Sequence, residues 1–496
     1  MTSGFPTLDR VLEVIDSIPV VIIFVAFSAF LFPFARFVFP HIRSSKTNAL
    51  IHIVYGLIMS IVIFRSDTIL CLLMAIVTFV GIKYFSVSIS ITIATLSLLA
   101  SHIVVMMRPI DWALDMTGMT MVMFQKAVSL TFNVADGRLR KSGQKIKRPR
   151  WEAVAVDECP SFFIYLAYLF TPYGSFSNPF LEFKLFEVIL NVGCRYIPSK
   201  TSNNTSDSSK SDSSKSDSSK SDSSKSNEAE NGESKDDEKF VSNWSRIPQV
   251  EHKIAFKRYL YAFVYAAFVQ VGMIYISMDS TYKASWFEKV PLLIKPIVMA
   301  ALTAIQASRY FPAWMLVDSG FYEFGLGSAG IVEHDEVSNL TMIDTLKSPT
   351  CDEWMRRWNH TTHLFWKNYL FTRLLNNGFG KGFSNMMVFI CSMAWHGIRF
   401  IYLGMLPEAF LCMKVDAFWN QKFPQKDASS FIKFLHNLWV VCSMLYCTST
   451  WYYPSFEDFL FVRKKVSFII PIIAVFIFII VLVMPKKKEG AKPKVE

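Results

Sequence analysis

The sequence is poor in charge. Of its 496 residues only 18% are Asp, Glu, Lys or Arg, while 52% are hydrophobic and 15% aromatic, and mean hydropathy is +0.31. That balance excludes an ordinary soluble enzyme of this size and predicts a helical membrane protein. Cysteine is sparse as well: eight residues, no two in a C-x-x-C pair, most of them inside apolar runs, such as Cys71, Cys391, Cys442 and Cys447. Neither a disulfide framework nor a zinc site is indicated, so free thiols and no structural metal are expected. The first 19 residues carry Asp9, Glu13 and Asp16 and lack the basic start and small-residue cleavage site of a signal peptide, so the first apolar run is expected to remain as an anchor. Internal repeats and paired broken helices in two halves are missing too, which argues against a transporter.

Long apolar runs are what the chain has in abundance. They lie at 20–38, 50–64, 69–84 and 87–107, and again at 259–276, 291–307, 431–453 and 466–484, bounded by residues such as Arg43, Arg65, Asp67 and Lys83. With the more broken segments they predict about ten or eleven spans in an all-α polytopic membrane protein. The aromatic, proline-punctuated stretch after Cys159 is expected to form re-entrant or interfacial helices packed on protein.

The formal net charge of +11 does not point to nucleic acid, because the basic residues cluster beside apolar segments, where they set orientation and attract anionic headgroups. Arg138, Arg140, Lys141, Lys145, Lys147, Arg148 and Arg150 fall within one loop, predicted cytosolic and suited to acidic lipid or polyanionic coenzyme A. Lys486, Lys487 and Lys488 follow the last run and predict a cytosolic C-terminus. Lys492 and Lys494 resemble a dilysine retrieval signal of the endoplasmic reticulum membrane.

Four domains of sequence follow: a first membrane part at 1–198, a low-complexity loop at 199–240, a second membrane part at 241–484 and a basic tail at 485–496. The loop repeats SDSSK four times from Ser206 to Lys225 and has almost no apolar residue, so it is expected to be disordered.

Two stretches carry the candidate chemistry. In 383–405, FSNMMVFICSMAWHGIRFIYLGM, His396 stands inside an apolar run, with Cys391, Ser392 and Arg399 about a turn away. An ionisable group at bilayer depth costs on the order of 2–3 kcal/mol and usually marks a reaction or transport path. In 354–373, WMRRWNHTTHLFWKNYLFTR, a continuous helix would set Asn359, Thr362, His363, Trp366 and Leu370 on one face.

These stretches resemble the membrane-bound O-acyltransferase family, marked by an Asn in a W-N-x-x-T-x-x-W context and a W-H-G on a later buried helix. Here they are Trp358-Asn359-His360-Thr361-Thr362, with Trp366 one residue late, and Trp395-His396-Gly397. The lysophospholipid branch is resembled by Asp115-Met116-Thr117-Gly118 through Gln125-Lys126 to Asp136-Gly137, followed by Pro160-Ser161 with Tyr165 and Tyr168. Tyr310-Phe311, Trp314 and Gly325-Leu326-Gly327 match a further element, and Asp318 falls where relatives tend to carry an acidic residue. Where relatives continue W-H-G with a Pro-Gly-Tyr turn, this chain has Ile398-Arg399-Phe400-Ile401-Tyr402.

The resemblance implies the family's architecture and transfer of a fatty acyl group from acyl-CoA, as co-substrate, to the glycerol hydroxyl of a lysophospholipid, with no permanently bound cofactor. His396 would act as base and Asn359 as hydrogen-bond donor to the thioester carbonyl, or else as the residue that orients the imidazole. Trp358, Thr362, Trp366, Trp395, Arg399 and Asp318 are candidate substrate contacts. Membrane lipids are expected partners; oligomeric state, headgroup and acyl-chain preference stay open. A sterol, diacylglycerol or peptide acceptor is the alternative within the same chemistry, and a transporter with a buried His the alternative outside it.

Overall fold

The computed structural model describes residues 20–108, 115–176, 179–192, 250–275, 282–327, 337–339, 342–397, 401–424, 428–453 and 455–483. The first 19 residues, the 199–240 loop, Arg399 and the 485–496 tail lie outside them. Most of the described residues are helical, and none of them lies in a strand.

Among the described residues four segments are long and apolar enough to cross a membrane: Ile22–His41, Ser45–Tyr84, Val87–Met106 and Ser430–Tyr452, with a shorter apolar helix at Ile469–Ile480. Ser45–Tyr84 is itself two helices, Ser45–Phe64 and Thr68–Tyr84, joined by a turn at Arg65–Asp67. Many of these helices begin at a serine whose side chain accepts from a backbone N–H three residues on: Ser44, Ser86, Ser161 and Ser429. The expected span at 291–307 forms the shorter helix Lys295–Ser308, and Ile401–Lys422, which carries Pro407 in its interior, is a helix beyond the expected runs.

Thr117–Lys141 is the polar spine of the first half. From Met119 to Gly137 it is almost wholly buried, so each polar side chain needs a protein partner. Lys126 donates to the Tyr168 carbonyl at 2.6 Å and to Ser175 at 3.2 Å. Asn133 and Glu182 both accept from the Tyr369 hydroxyl, at 2.9 and 2.7 Å. Asp136 takes a bidentate pair from Arg373 at 3.1 and 2.5 Å, whose guanidinium also lies over the rings of Phe132 and Trp151 at 4.2 and 4.1 Å. Gly137 passes the backbone of Val156 so closely that a Cβ would lie 2.0 Å from its carbonyl oxygen.

Two large apolar cores, with smaller clusters beside them, result among the described residues. The larger joins the first half to Phe321, Phe365, Trp366, Tyr369 and Trp395; the other collects Trp354, Met393, Ile401, Met405 and the Ser430–Thr448 helix. Trp366 and Trp395 belong to one core and Trp354 and Met393 to the other. The Asn359 and His396 segments therefore run along the seam between them.

Candidate active site

The 354–373 stretch is not the continuous helix its periodicity predicts. Cys351–Arg357 is capped by Thr350, ends at Trp358, and Asn359 takes a left-handed conformation with φ 49° and ψ 54°. Asn is one of the few residues besides Gly that enters that region readily. The helix restarts at His360–Trp366, widens at Lys367–Phe371 and closes at Thr372–Asn376. Asn359 thus sits at a corner, not on a helix face with Thr362 and Trp366.

At that corner Asn359 does not cap the new helix with its own side chain; Asn339 does. The Thr361 N–H and hydroxyl donate to Asn339 Oδ1 at 2.9 and 3.0 Å, and Asn339 Nδ2 donates to Asn359 Oδ1 at 3.0 Å. A backbone N–H can only donate, so Thr361 dictates which end of the Asn339 amide faces it. That in turn makes Asn359 accept with Oδ1 and directs its Nδ2 away from the network, with no hydrogen-bond partner among the described residues. Thr361 is held from its other side by the Phe180 N–H, which donates to its hydroxyl at 2.9 Å.

Asp318 and Trp358 support this corner. Asp318, 1% exposed, accepts from the Ser338 hydroxyl and lies 3.9 Å from Arg258, so it anchors the residue before Asn339. Trp358 packs edge-on against Phe311 and Trp314 at 5.8 and 6.2 Å.

The 383–405 run is likewise broken. Lys381–His396 ends at His396, because Gly397 adopts φ 118°, and a new helix begins at Ile401. The conformation calls for glycine, and a Cβ on Gly397 would also crowd His102, standing 3.2 Å from its Nδ1. The His396 imidazole is flanked by Trp395 at 4.6 Å and Trp451 at 4.3 Å between ring centroids. Its nitrogens make no hydrogen bond among the described residues.

Trp395 is tied down at both ends. Its indole N–H donates to the Met121 carbonyl at 2.9 Å, and its own carbonyl accepts from His102 Nε2 at 3.0 Å. The Trp366 ring meets Trp395 edge-on at 6.2 Å. Gln125 Nε2 donates to Thr362 at 3.1 Å, while Gln125 Oε1 and Trp366 Nε1 are buried without a partner among the described residues. Thr362, Trp366, Trp395 and His396 are thereby gathered along the polar spine. Asn359 and His396 do not bond to each other; Thr362, Trp366 and Trp395 span the interval between them.

An amide donor and an imidazole, each unpartnered among the described residues and each presented where a helix breaks, lie along one seam of an all-helical membrane protein. The sequence around them carries a family match. Residues 230–453 match the membrane-bound O-acyltransferase family. Both the Asn359 and the His396 motif fall inside that O-acyltransferase stretch, as the resemblance of these motifs leads one to expect.

Among curated proteins the chain is similar to lysophospholipid acyltransferase 6 of Drosophila melanogaster, 21% identical over 58% of this chain and 35% of that protein. It is also similar to membrane-bound glycerophospholipid O-acyltransferase 2 of Gallus gallus, 22% identical over 58% of this chain and 48% of that one. A lysophospholipid acyltransferase of Schizosaccharomyces pombe is 27% identical over 25% of this chain and 26% of its own length. The chain thus spans between a quarter and a half of the length of these relatives.

Three neighbours of the site escape a reading of motifs, whereas Gln125 belongs to the segment that resembles the lysophospholipid branch. His102 lies outside the matched O-acyltransferase stretch; Asn339 and Trp451 lie within it, but away from both motifs. His102 alone carries a usable signal: like His396, it is a single imidazole in an apolar run, LLASHIVVM.

Proposed function

We propose that the protein is an acyltransferase of membrane lipids that moves a fatty acyl group from acyl-CoA to the free glycerol hydroxyl of a lysophospholipid. The observation that carries this reading is the pair of groups without a hydrogen-bond partner among the described residues, the Asn359 amide donor and the His396 imidazole, on two segments of the membrane-bound O-acyltransferase stretch. The names of the relatives, which specify lysophospholipid or glycerophospholipid acyl transfer, supply the substrate class.

The chemistry needs a base and a place for negative charge. His396 takes the proton of the glycerol hydroxyl as that oxygen attacks the thioester carbon, a contribution of about 10² to 10⁴ in rate. The carbonyl oxygen gains charge and accepts from Asn359 Nδ2, where loss of such a donor typically costs about 10² to 10³. Collapse of the tetrahedral intermediate breaks the carbon–sulfur bond, and the coenzyme A thiolate receives the proton held by the imidazolium. The ester forms directly in a ternary complex, without an acyl-enzyme. Between the two roles open to Asn359, the bond from Asn339 favours donation to the oxyanion: it occupies Oδ1 and leaves Nδ2 to give.

The flanking Trp395 and Trp451 rings exclude water from the imidazole and leave its edge to the acceptor. The basic segment from Arg138 to Arg150, which is not one loop but the end of the Thr117–Lys141 helix, a turn and the start of the Pro149–Val154 helix, supplies positive charge for the coenzyme A phosphates on the cytosolic face of the endoplasmic reticulum membrane, the side we also assign to the C-terminus. Incubating microsomes that contain the protein with labelled oleoyl- or arachidonoyl-CoA and a panel of lysophospholipids tests the proposal. Acceptor-dependent labelled phospholipid is expected. Product only with sterol, diacylglycerol or peptide would reassign the acceptor, and no product with any acceptor would defeat the enzyme reading in favour of a transporter.

A further inference from the structure

We propose that His102 is a positioning residue for His396: it fixes the end of the helix that presents the base. This rests on the reading of His396 as base given above. A helix that ends at His396 leaves its last four carbonyls without intrahelical partners, and at bilayer depth protein must supply them. His102 supplies one. A carbonyl only accepts, so the proton is on His102 Nε2 and points at the Trp395 oxygen, 3.0 Å away.

His102 is itself held firmly. It is 5% exposed, on the Val87–Met106 helix, and its neighbour Ser101 shares a hydroxyl bond of 2.8 Å with Thr120 on the polar spine. The Trp395 indole is bonded to Met121 on that same spine, so one residue is gripped through its backbone and its ring. Immediately after His396 the chain passes over the His102 imidazole, close enough that a Gly397 Cβ would be 3.2 Å from Nδ1. The peptide groups on both sides of His396 are therefore set against His102, and Trp451 limits where the His396 ring turns. Releasing that grip lets the base drift, and a misplacement of about 1 Å can cost about 10²-fold in rate.

The test compares His102→Leu, which removes the donor, with His102→Gln, whose amide restores one, alongside the parent protein and His396→Ala. Turnover, KM for both substrates and amide hydrogen exchange of residues 393–397 are measured on full-length protein. His102→Leu is expected to lower kcat about 10- to 100-fold with both KM values within about threefold, and to speed exchange at 393–397. His102→Gln is expected to recover most of both. Undiminished kcat in His102→Leu, unchanged exchange, or equal impairment of the two variants would overturn the assignment. If the parent protein transfers no acyl group to any acceptor, the functional reading fails separately, and hydrogen exchange still decides whether His102 fixes this segment.

Discussion

Asn339 offers the sharpest way to separate folding from chemistry at this site. It is 2% exposed and its side chain makes three hydrogen bonds, two from Thr361 and one to Asn359. Asn339→Ala deletes all three, at about 1 kcal/mol each, and strands the buried Thr361 N–H, for a total of about 3–5 kcal/mol. That is a large share of the stability of any domain, so low yield and a lowered melting temperature are expected. Asn339→Asp behaves differently. Its carboxylate still accepts from Thr361 at the start of a helix, where negative charge is favourable, so much of the stability remains. The second carboxylate oxygen now faces Asn359 Oδ1, and two acceptors cannot bond. The Asn359 amide turns over, its Nδ2 is drawn to the new carboxylate, and the donor assigned to the oxyanion is lost. Turnover is expected to fall about 10²-fold in a protein that remains folded. The assay pairs thermal unfolding with acyl transfer from labelled oleoyl-CoA. A folded Asn339→Asp protein with parental turnover would refute the argument that the Asn339 bond sets the working orientation of Asn359.

Other outcomes follow from single residues. Gly397→Ala forces a side chain into φ 118° and against His102, a strain of about 1–3 kcal/mol at the residue after the base; acyl transfer is expected to fall more steeply than melting temperature, which paired assays show. Arg373→Leu leaves the Asp136 carboxylate buried without its bidentate partner and is expected to cost about 3–5 kcal/mol in thermal or denaturant unfolding, with Arg373→Lys milder. Cysteines placed singly between Arg138 and Arg150 are expected to react with an impermeant maleimide from the cytosolic face of sealed microsomes; protection there would reverse the orientation assigned.

Much of the fold is legible because apolar length is a robust signal: the runs at 45–64, 68–84 and 87–106 emerge as helices close to where composition puts them. The two motif segments are legible as sites but not as shapes. Periodicity reads straight through Asn359, whose left-handed backbone shows only once the chain is folded, and through Gly397, which in an apolar run looks like any tolerated glycine. Both breaks matter to the proposed mechanism, since each presents one of its two candidate groups at a helix end. Asp318 and Trp358 show what the motif resemblance leaves out: it marks them as substrate contacts, and the structure adds that Asp318 bonds to Ser338 and Trp358 packs on Phe311 beside the Asn359 corner. Asn339, His102 and Trp451 reach the site across 20, 293 and 55 residues of chain from the partners they touch. Pairings of that span carry no local pattern, so only three-dimensional packing discloses them.

The central claim is that one imidazole and one amide act on a single transition state. The most direct measurement is acyl transfer by His396→Ala, Asn359→Ala and the double variant, each checked for expression, membrane insertion and acyl-CoA binding. Each single change is expected to lower turnover by at least about 10², and the double change to cost far less than the product of the two, because the groups serve one step. His360→Ala and His363→Ala, on the neighbouring helix, are expected to be milder. Near-parental acyl transfer by a folded, inserted His396→Ala protein would contradict the account and leave that imidazole a structural residue.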